Sequence, residues 1–500
     1  MSALLGGLCA LLVLLVLLLP GEVEQLTAVT GWVRLPVEGI LAALAVWRWP
    51  RRPVAIGAGV VLGLLAVLKF IGLGFSVVLD RPFDPYADWP FVWAALEFVR
   101  RSYGWAAMVG VVALAPAVVA LVTVCFGRLA GLLGAHRVAT MRGAVAAAVA
   151  WMLALVAGLP LASQDSYDRL AQVYAGVRDR AVFPSQLATD AFGDVPGAQM
   201  LNALRGKDVM VVFIESYGRV ALPAPAVAST LEAGTERLRT KGFASRSGFL
   251  TSPTAGGGSW LAHATLFSGL WIDDQQRHQA LTNSDRLTLS GAFQRAGWRT
   301  VAVMPGTNGA WPGGAVFDFD RIHTSEDLGY RGPRFTFSSI PDQYTLSSFR
   351  RLESGGGTPV MAMIPLMSSH GPWDPVPPLV AWDSLGDGSG YVSGPESNDP
   401  VRMRANYPRA LAYSIEALIS YVETYGDDDL VLVFLGDHQA ATIVTGPRAS
   451  RDVPITIVAR DPAVLARANS WAWTDGLTPG PQAPVWPMDT FRDRFLAAFD

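Results

Sequence analysis

Cysteine, histidine and charge are all scarce in this 500-residue chain. The 2 cysteines, Cys9 and Cys125, both fall inside apolar runs. Neither has a C-x-x-C partner, which excludes a cysteine-built zinc site and leaves no conventional structural disulfide to expect. Charged residues make up 16% of the chain, against about 25% in ordinary soluble proteins. The deficit excludes a wholly soluble chain and points to membrane segments. A formal net charge of −3 supplies no basic footprint for nucleic acid. No internal repeat is evident. What is abundant is apolar sequence, 51% hydrophobic residues in a length that suggests two or three domains.

The apolar excess sits in the first 163 residues. Five stretches stand out: Ala3–Leu19, Val37–Trp47 (or Gly31–Arg48), Val54–Leu79, Trp105–Phe126 and Ala144–Leu161. A span needs about 20 apolar residues. The first stretch lacks the basic segment of a signal peptide, since only Met1 and Ser2 precede it, and reads as a retained helix. Arg48, Arg51 and Arg52 mark one loop as cytoplasmic, and Arg128, Arg137 and Arg142 mark another, where His136 also lies. The loop with Glu22, Glu24 and Arg34 is expected outside. So is the loop with Asp80, Arg81, Asp84, Asp88, Glu97, Arg100 and Arg101. These assignments alternate consistently for five spans with the C-terminal half outside. Trp89, Phe91, Trp93 and Phe98 suit an interfacial helix. Lys69, inside the third span, is expected to snorkel outward.

From Gln164 the sequence turns polar. Residues 164–205 read as connector helices, and 206–500 as a separate domain. Apolar runs at 208–216, 299–305, 359–368, 429–437 and 453–461 are bounded by Gly, Pro and Asp. They read as buried strands, too continuous to have one wet face. Helical patterns lie between them, at 286–298 and 408–426. Alternation of this kind implies an α/β domain with a mostly parallel sheet. Residues 384–399 form a Gly/Ser-rich loop.

In such sheets ligands gather at the carboxyl ends of strands. One strand here ends in Glu215, another in Asp437-His438, and a third runs into Ser368-Ser369-His370. The glycine run Gly256-Gly257-Gly258 delivers Ser259 to a helix start. A hydroxyl there lies beside free N–H groups and suits attack on an anionic substrate. A strand-terminal carboxylate is more often a cap, and Ser259 alone could be an ordinary N-cap. Together, in this order, they are far more specific. Glu, Asp and His offer oxygens and one imidazole, a set suited to Mn, Mg or Zn.

These pieces resemble the lipoteichoic acid synthase and phosphoethanolamine transferase branch of the alkaline phosphatase/sulfatase superfamily. The matching motifs are ESYG at 215–218, the Gly-rich loop with Ser259 and the following LFSG at 266–269, SSHGP at 368–372 and GDH at 436–438. The resemblance implies a five-helix membrane anchor and an outer sulfatase-like catalytic domain. It implies that Glu215, Ser259, Asp437 and His438 bind a divalent metal ion and that Ser259 is the nucleophile. His370 would hold the phosphoryl group or move a proton, and Trp311 and Asn308 would contact the headgroup. Two departures stand out. Ser259 takes the place of the usual threonine, which leaves Thr254 as alternative nucleophile. No basic residue follows Trp311 where the lipoteichoic acid enzymes carry an arginine, which weakens the case for glycerol phosphate.

The implied activity moves a phospho-alcohol headgroup, phosphoglycerol- or phosphoethanolamine-like, through a seryl intermediate. The donor is a membrane phospholipid and the acceptor an envelope glycan or lipid. The implied location is a bacterial plasma (inner) membrane, multi-pass, with the catalytic domain outside the cytoplasm. A hydrolase of the same fold, with water as acceptor, is the alternative. A non-catalytic receptor or scaffold is the second alternative, and it predicts loss of the metal ligands, which are all present. Formylglycine sulfatases need a C/S-x-P-x-R motif, and this chain has none. His263, one turn after Ser259, is a candidate supporting group, while His278 and His323 read as surface residues.

Overall fold

Inside lipid a backbone must satisfy its polar groups within its own segment, so the apolar N-terminal runs fold as helices. In the computed structural model these are Ser2–Leu18, Val37–Arg48, Arg52–Leu79, Trp89–Ala135 and Arg137–Val156. The structure describes residues 2–500 apart from 22–24, 27–28, 50, 80–82, 86–87, 158, 160–164, 310, 398 and 447–448. Glu22, Glu24, Asp80, Arg81 and the expected boundary at 163/164 lie outside the described residues. The chain divides into two compact units, Met1–Ala181 and Val182–Asp500.

Five apolar helices form where five were expected, but among the described residues only three can cross a membrane by length and composition. They are Arg52–Ser76, Gly104–Ala135 and Arg137–Val156. The helix Val37–Arg48 has 12 residues and rises only about 18 Å, against a hydrocarbon core of about 30 Å. The apolar part of the first helix, Leu4–Leu18, also falls short. The loop expected between the fourth and fifth spans is helical on both sides of a turn at His136. The interfacial segment is continuous with the fourth span through a break at Gly104.

Helices in lipid associate by close packing of small residues. Gly59 and Gly63 sit one turn apart, and a Cβ on them would lie 2.8 Å and 2.7 Å from the Cα atoms of Thr123 and Val119. Only glycine permits that approach. Cys9 and Cys125 are buried in one apolar cluster and are free thiols. Lys69 is buried. Its ammonium donates to the carbonyls of Leu17 (3.0 Å) and Leu19 (3.2 Å). These belong to the C-terminal end of the first helix, where carbonyls lack partners and the dipole is negative.

The second unit is built on a 9-stranded sheet. Its strands are β1 (Asp208–Ile214), β2 (Ala244–Thr251), β3 (Arg299–Met304), β4 (Arg321–Thr324), β5 (Val360–Leu366), β6 (Leu430–Gly436), β7 (Asp452–Ala459), β8 (Thr474–Asp475) and β9 (Val485–Pro487). The order is β4-β3-β5-β1-β6-β7-β2-β8, with β9 beside β2. From β4 to β6 all neighbours are parallel, and β7 runs antiparallel to β6. The five strands read from the sequence are β1, β3, β5, β6 and β7.

Successive residues of β1 point to opposite faces. Val209, Val211 and Phe213 enter one core with the helices Ser259–Ser268, Leu289–Arg295 and Phe491–Phe499. Met210, Val212 and Ile214 enter the other with Pro225–Thr240, Asp342–Glu353 and Pro400–Tyr425. Both faces are therefore covered, which is why β1 and β6 read as unbroken apolar runs. The division between units falls inside the helix Asp165–Ala188. Beyond it, Met200, Leu201 and Leu204 are buried in the first of these cores.

Candidate active site

β1 lies between β5 and β6, and Ile214 pairs with both Leu366 and Gly436. The next residues outward, Glu215 and Asp437, therefore leave the sheet at one level on strands about 4.8 Å apart. The chain then turns sharply at Ser216, whose φ of 60° is left-handed and strained for a serine. Three hydrogen bonds hold it there. Its N–H donates to Asp437 Oδ1 (2.8 Å), its hydroxyl donates to Glu215 Oε1 (2.8 Å), and its carbonyl accepts from the Tyr407 hydroxyl (2.9 Å). The turn brings the Tyr217 carbonyl so close that a Cβ at position 436 would sit 1.9 Å from it. Glycine is obligatory there.

Ser259 opens its helix directly after Gly258. Its hydroxyl donates to Glu215 Oε2 at 2.9 Å and lies 3.2 Å from His438 Nε2. That nitrogen is also 3.4 Å from Glu215 Oε1 and 3.7 Å from Asp437 Oδ2. The Nδ1 of His438 lies 3.0 Å from the Gln439 carbonyl, which can only accept, so Nδ1 carries the proton. With Nδ1 tied there, Nε2 faces the three oxygen groups. Further bonds fix the backbone beneath. Ser252 donates to the Asp437 carbonyl (2.7 Å), and Ser369 to the Glu215 carbonyl (2.6 Å).

Burial alone would push Glu215 up, but His438, His370 and hydrogen bonds from Asp437 and Ser216 outweigh it and hold it at about 2. Burial and the Glu215 charge drive Asp437 well above the usual carboxylate range. Two buried carboxylates this close do not both ionise unless positive charge joins them. Four donors around one ion at about 2.0–2.3 Å stand about 3.3–3.7 Å apart. Two of the separations here, 3.4 and 3.7 Å, fall within that range, and the two made by Ser259 and its neighbours, 2.9 and 3.2 Å, are shorter, as for groups still hydrogen-bonded to one another. Glu215, Asp437 and His438 together form a group able to hold a metal ion, with Ser259 as a fourth donor, so the residues fit a divalent cation.

His370 follows β5. Asp342, fully buried and pushed up to about 6 by burial, accepts from the N–H groups of Met367 (2.7 Å) and Ser368 (3.0 Å) and so holds that turn. His370 Nδ1 donates to the Gly371 carbonyl at 2.7 Å, which again leaves Nε2 available. Thr254 stands apart from the quartet in its bonding, since its hydroxyl donates to the Gly257 carbonyl at 2.6 Å. Trp311 is half-buried and stacks on Phe317 at 5.3 Å. Asn308 is exposed and accepts from the Ser325 hydroxyl.

His263 is buried against the Phe213 ring (4.2 Å between centroids), and burial pushes it down to about 3, so it is neutral. Two histidines read as surface residues are not. His323 is buried and bonded to Glu353, which also pairs with Arg299. His278 is half-buried, and burial pushes it down to about 4. Sequence spacing gave no sign of Asp342, Ser252 or Tyr407, because their roles arise from long-range contacts. The ESYG motif did mark the place of Ser216.

Residues 207–454 match the family described as Sulfatase. That stretch, just under half of the chain, is a sulfatase-type domain, the enzyme domain of the alkaline phosphatase/sulfatase superfamily. None of the curated proteins matches the sequence. Among solved structures, it is similar to the phosphoethanolamine transferase EptA of Neisseria meningitidis, an integral membrane protein, at 13% identity over 92% of this chain and 95% of that one (TM-score 0.42). It is similar to the Streptococcus pyogenes phosphoglycerol transferase GacH at 13% identity over 64% and 91% (TM-score 0.39). It is also similar to the lipoteichoic acid synthase LtaP of Listeria monocytogenes at 16% identity over 58% and 71% (TM-score 0.38).

Proposed function

We propose that this membrane enzyme transfers a phospho-alcohol headgroup, phosphoglycerol- or phosphoethanolamine-like, from a membrane phospholipid to an envelope glycan or lipid. The observation that carries the reading is the Ser259 hydroxyl, set 2.9 Å from Glu215 and 3.2 Å from His438 at the carboxyl edge of the sheet. Glu215, Ser259, Asp437 and His438 would hold a divalent cation, Mn, Mg or Zn, which when bound lowers a hydroxyl pKa and offsets phosphoryl charge.

In the first half-reaction Ser259 Oγ passes its proton to Glu215 Oε2, its hydrogen-bond acceptor, and bonds to the donor phosphorus, while the bond from phosphorus to the diacylglycerol oxygen breaks. His370 enters this step as the imidazolium, with Nδ1 held by the Gly371 carbonyl, and its Nε2 gives the second proton to the leaving alcohol. In the second half-reaction an acceptor hydroxyl attacks the phosphoserine ester and gives its proton to His370, while the bond from phosphorus to Ser259 Oγ breaks and Oγ takes its proton back from Glu215. Trp311 and Asn308 would contact the headgroup. The helices of residues 1–163 would anchor the catalytic domain, residues 206–500, outside the cytoplasm. There they would raise the effective concentration of lipid headgroups. Residues 164–205 would join the two.

The test uses the purified full chain in phospholipid vesicles, with diacylglycerol release as the readout. Ser259→Ala should lose about 1,000-fold or more in turnover, while Thr254→Ala keeps turnover. An active S259A enzyme would remove the nucleophile from this account. Diacylglycerol release that leaves the headgroup phosphate free, with or without envelope extract, would make the protein a hydrolase.

A further inference from the structure

Phe337 has three features that do not suit a residue there only to stabilise its loop. It is 59% exposed, so its ring buries little apolar surface. Its backbone is left-handed, with φ 53° and ψ 33°, a conformation that bulky side chains rarely adopt and hold only when their surroundings impose it. And its ring lies flat on the imidazole of His370, with centroids 3.8 Å apart and planes 13° from parallel.

The loop has its own anchors. Phe335 and Ile340 on either side are buried. The Phe335 N–H donates to the Ser339 carbonyl (3.1 Å), and the Ser339 N–H to the Thr336 carbonyl (3.0 Å). Thr336, fully buried, donates its hydroxyl to the His370 carbonyl at 3.1 Å. The same three-residue turn therefore grips the backbone of His370 through Thr336 and the ring of His370 through Phe337. Nδ1 of His370 is tied to Gly371. Among the described residues Nε2 makes no hydrogen bond, and only rotation about the side-chain torsions decides where it points. A ring stacked on one face of the imidazole restricts that rotation.

We propose that Phe337 is a positioning residue of the transfer reaction. It acts through His370 by fixing the plane of the imidazole, so that Nε2 is presented to the alcohol oxygen that takes or gives the proton. The proposal rests on the role given to His370 under the proposed function. The left-handed backbone is what places the ring there, and the strain persists because the ring position is used.

The full chain in phospholipid vesicles is compared with Phe337→Gly, Phe337→Ala, Phe337→Tyr and His370→Ala. For each, kcat and KM for diacylglycerol release and the thermal midpoint are measured. Glycine accepts the left-handed backbone without strain, so F337G should melt no lower than the parent. F337G and F337A should nevertheless lose about tenfold in kcat, the scale of one aromatic stacking contact, with KM within about twofold. F337Y restores the ring and should restore kcat. The inference is overturned if F337G keeps the parent kcat, if its loss appears only in KM, or if activity falls only in step with the thermal midpoint. His370→Ala separates the two levels. If it turns over like the parent, the role of His370 itself is wrong. If it is inactive while F337G is fully active, only the role of Phe337 is wrong.

Discussion

Glu215, Asp437 and His438 are 3%, 1% and 1% exposed and stand one or two residues past paired strands. His370, Trp311 and Asn308 stand on connecting segments and are half-buried or exposed. The first group is held by the sheet register and by a dense set of short hydrogen bonds. The second is held by ring stacking, one buried aspartate and a few loop bonds. A position fixed by the sheet cannot drift without unpairing strands, whereas a loop can change at little cost to the core. Under the proposed function, the metal-binding groups stand on the rigid part of the domain and the contacts to headgroup and acceptor on its loops.

Substitutions can break or sharpen that contrast. The loss expected of Ser259→Ala marks its upper end. His370→Gln comes next. It removes a proton carrier but no metal ligand, and should lower kcat about 100-fold. Bound metal should stay at the parent level, as atomic emission on the purified protein would check. Loss of metal in this variant would erase the distinction between the quartet and the loop group.

The smallest effect is expected at Asp342. Its carboxyl is held at about 6, above the ordinary 3.8, so folding favours the protonated form. That contribution is complete below the ordinary value and is lost as pH rises through about 6. Asparagine does not titrate. Thermal midpoints of the full chain in detergent, followed between these two pH values, should therefore fall more steeply with pH for the parent than for Asp342→Asn. Parallel profiles would mean that Asp342 is ionised in the fold like any surface aspartate.

The parts of the molecule legible in its sequence are those whose physics is local. β1, β5 and β6 are apolar at nearly every position because both faces are covered, and the groups that follow them could be read as a strand-end cluster. β2 could not. Ser245, Arg246, Ser247 and Gly248 look like a loop, yet Ser247 is fully buried. Its hydroxyl meets the Thr456 hydroxyl (2.8 Å) and donates to the Gly476 carbonyl (2.7 Å), partners more than 200 residues away. His323 was misread for the same reason, since Glu353 and Arg299 come to it only through the fold. In the membrane half, composition revealed the helices but not their lengths. It also could not show that Lys69 closes the end of another helix, because that needs the two brought side by side.

Convergence of Glu215, Ser259, Asp437 and His438 on one cation is tested most directly by X-ray absorption at the metal edge. The purified full chain would be loaded with zinc or manganese and compared with Asp437→Ala and His438→Ala. The parent should retain one ion per chain. Its first shell should hold oxygen and nitrogen at about 2.0–2.2 Å, including a single imidazole, and either substitution should abolish it. A parent that retains no ion, or an ion whose shell is unchanged in both variants, would contradict the account.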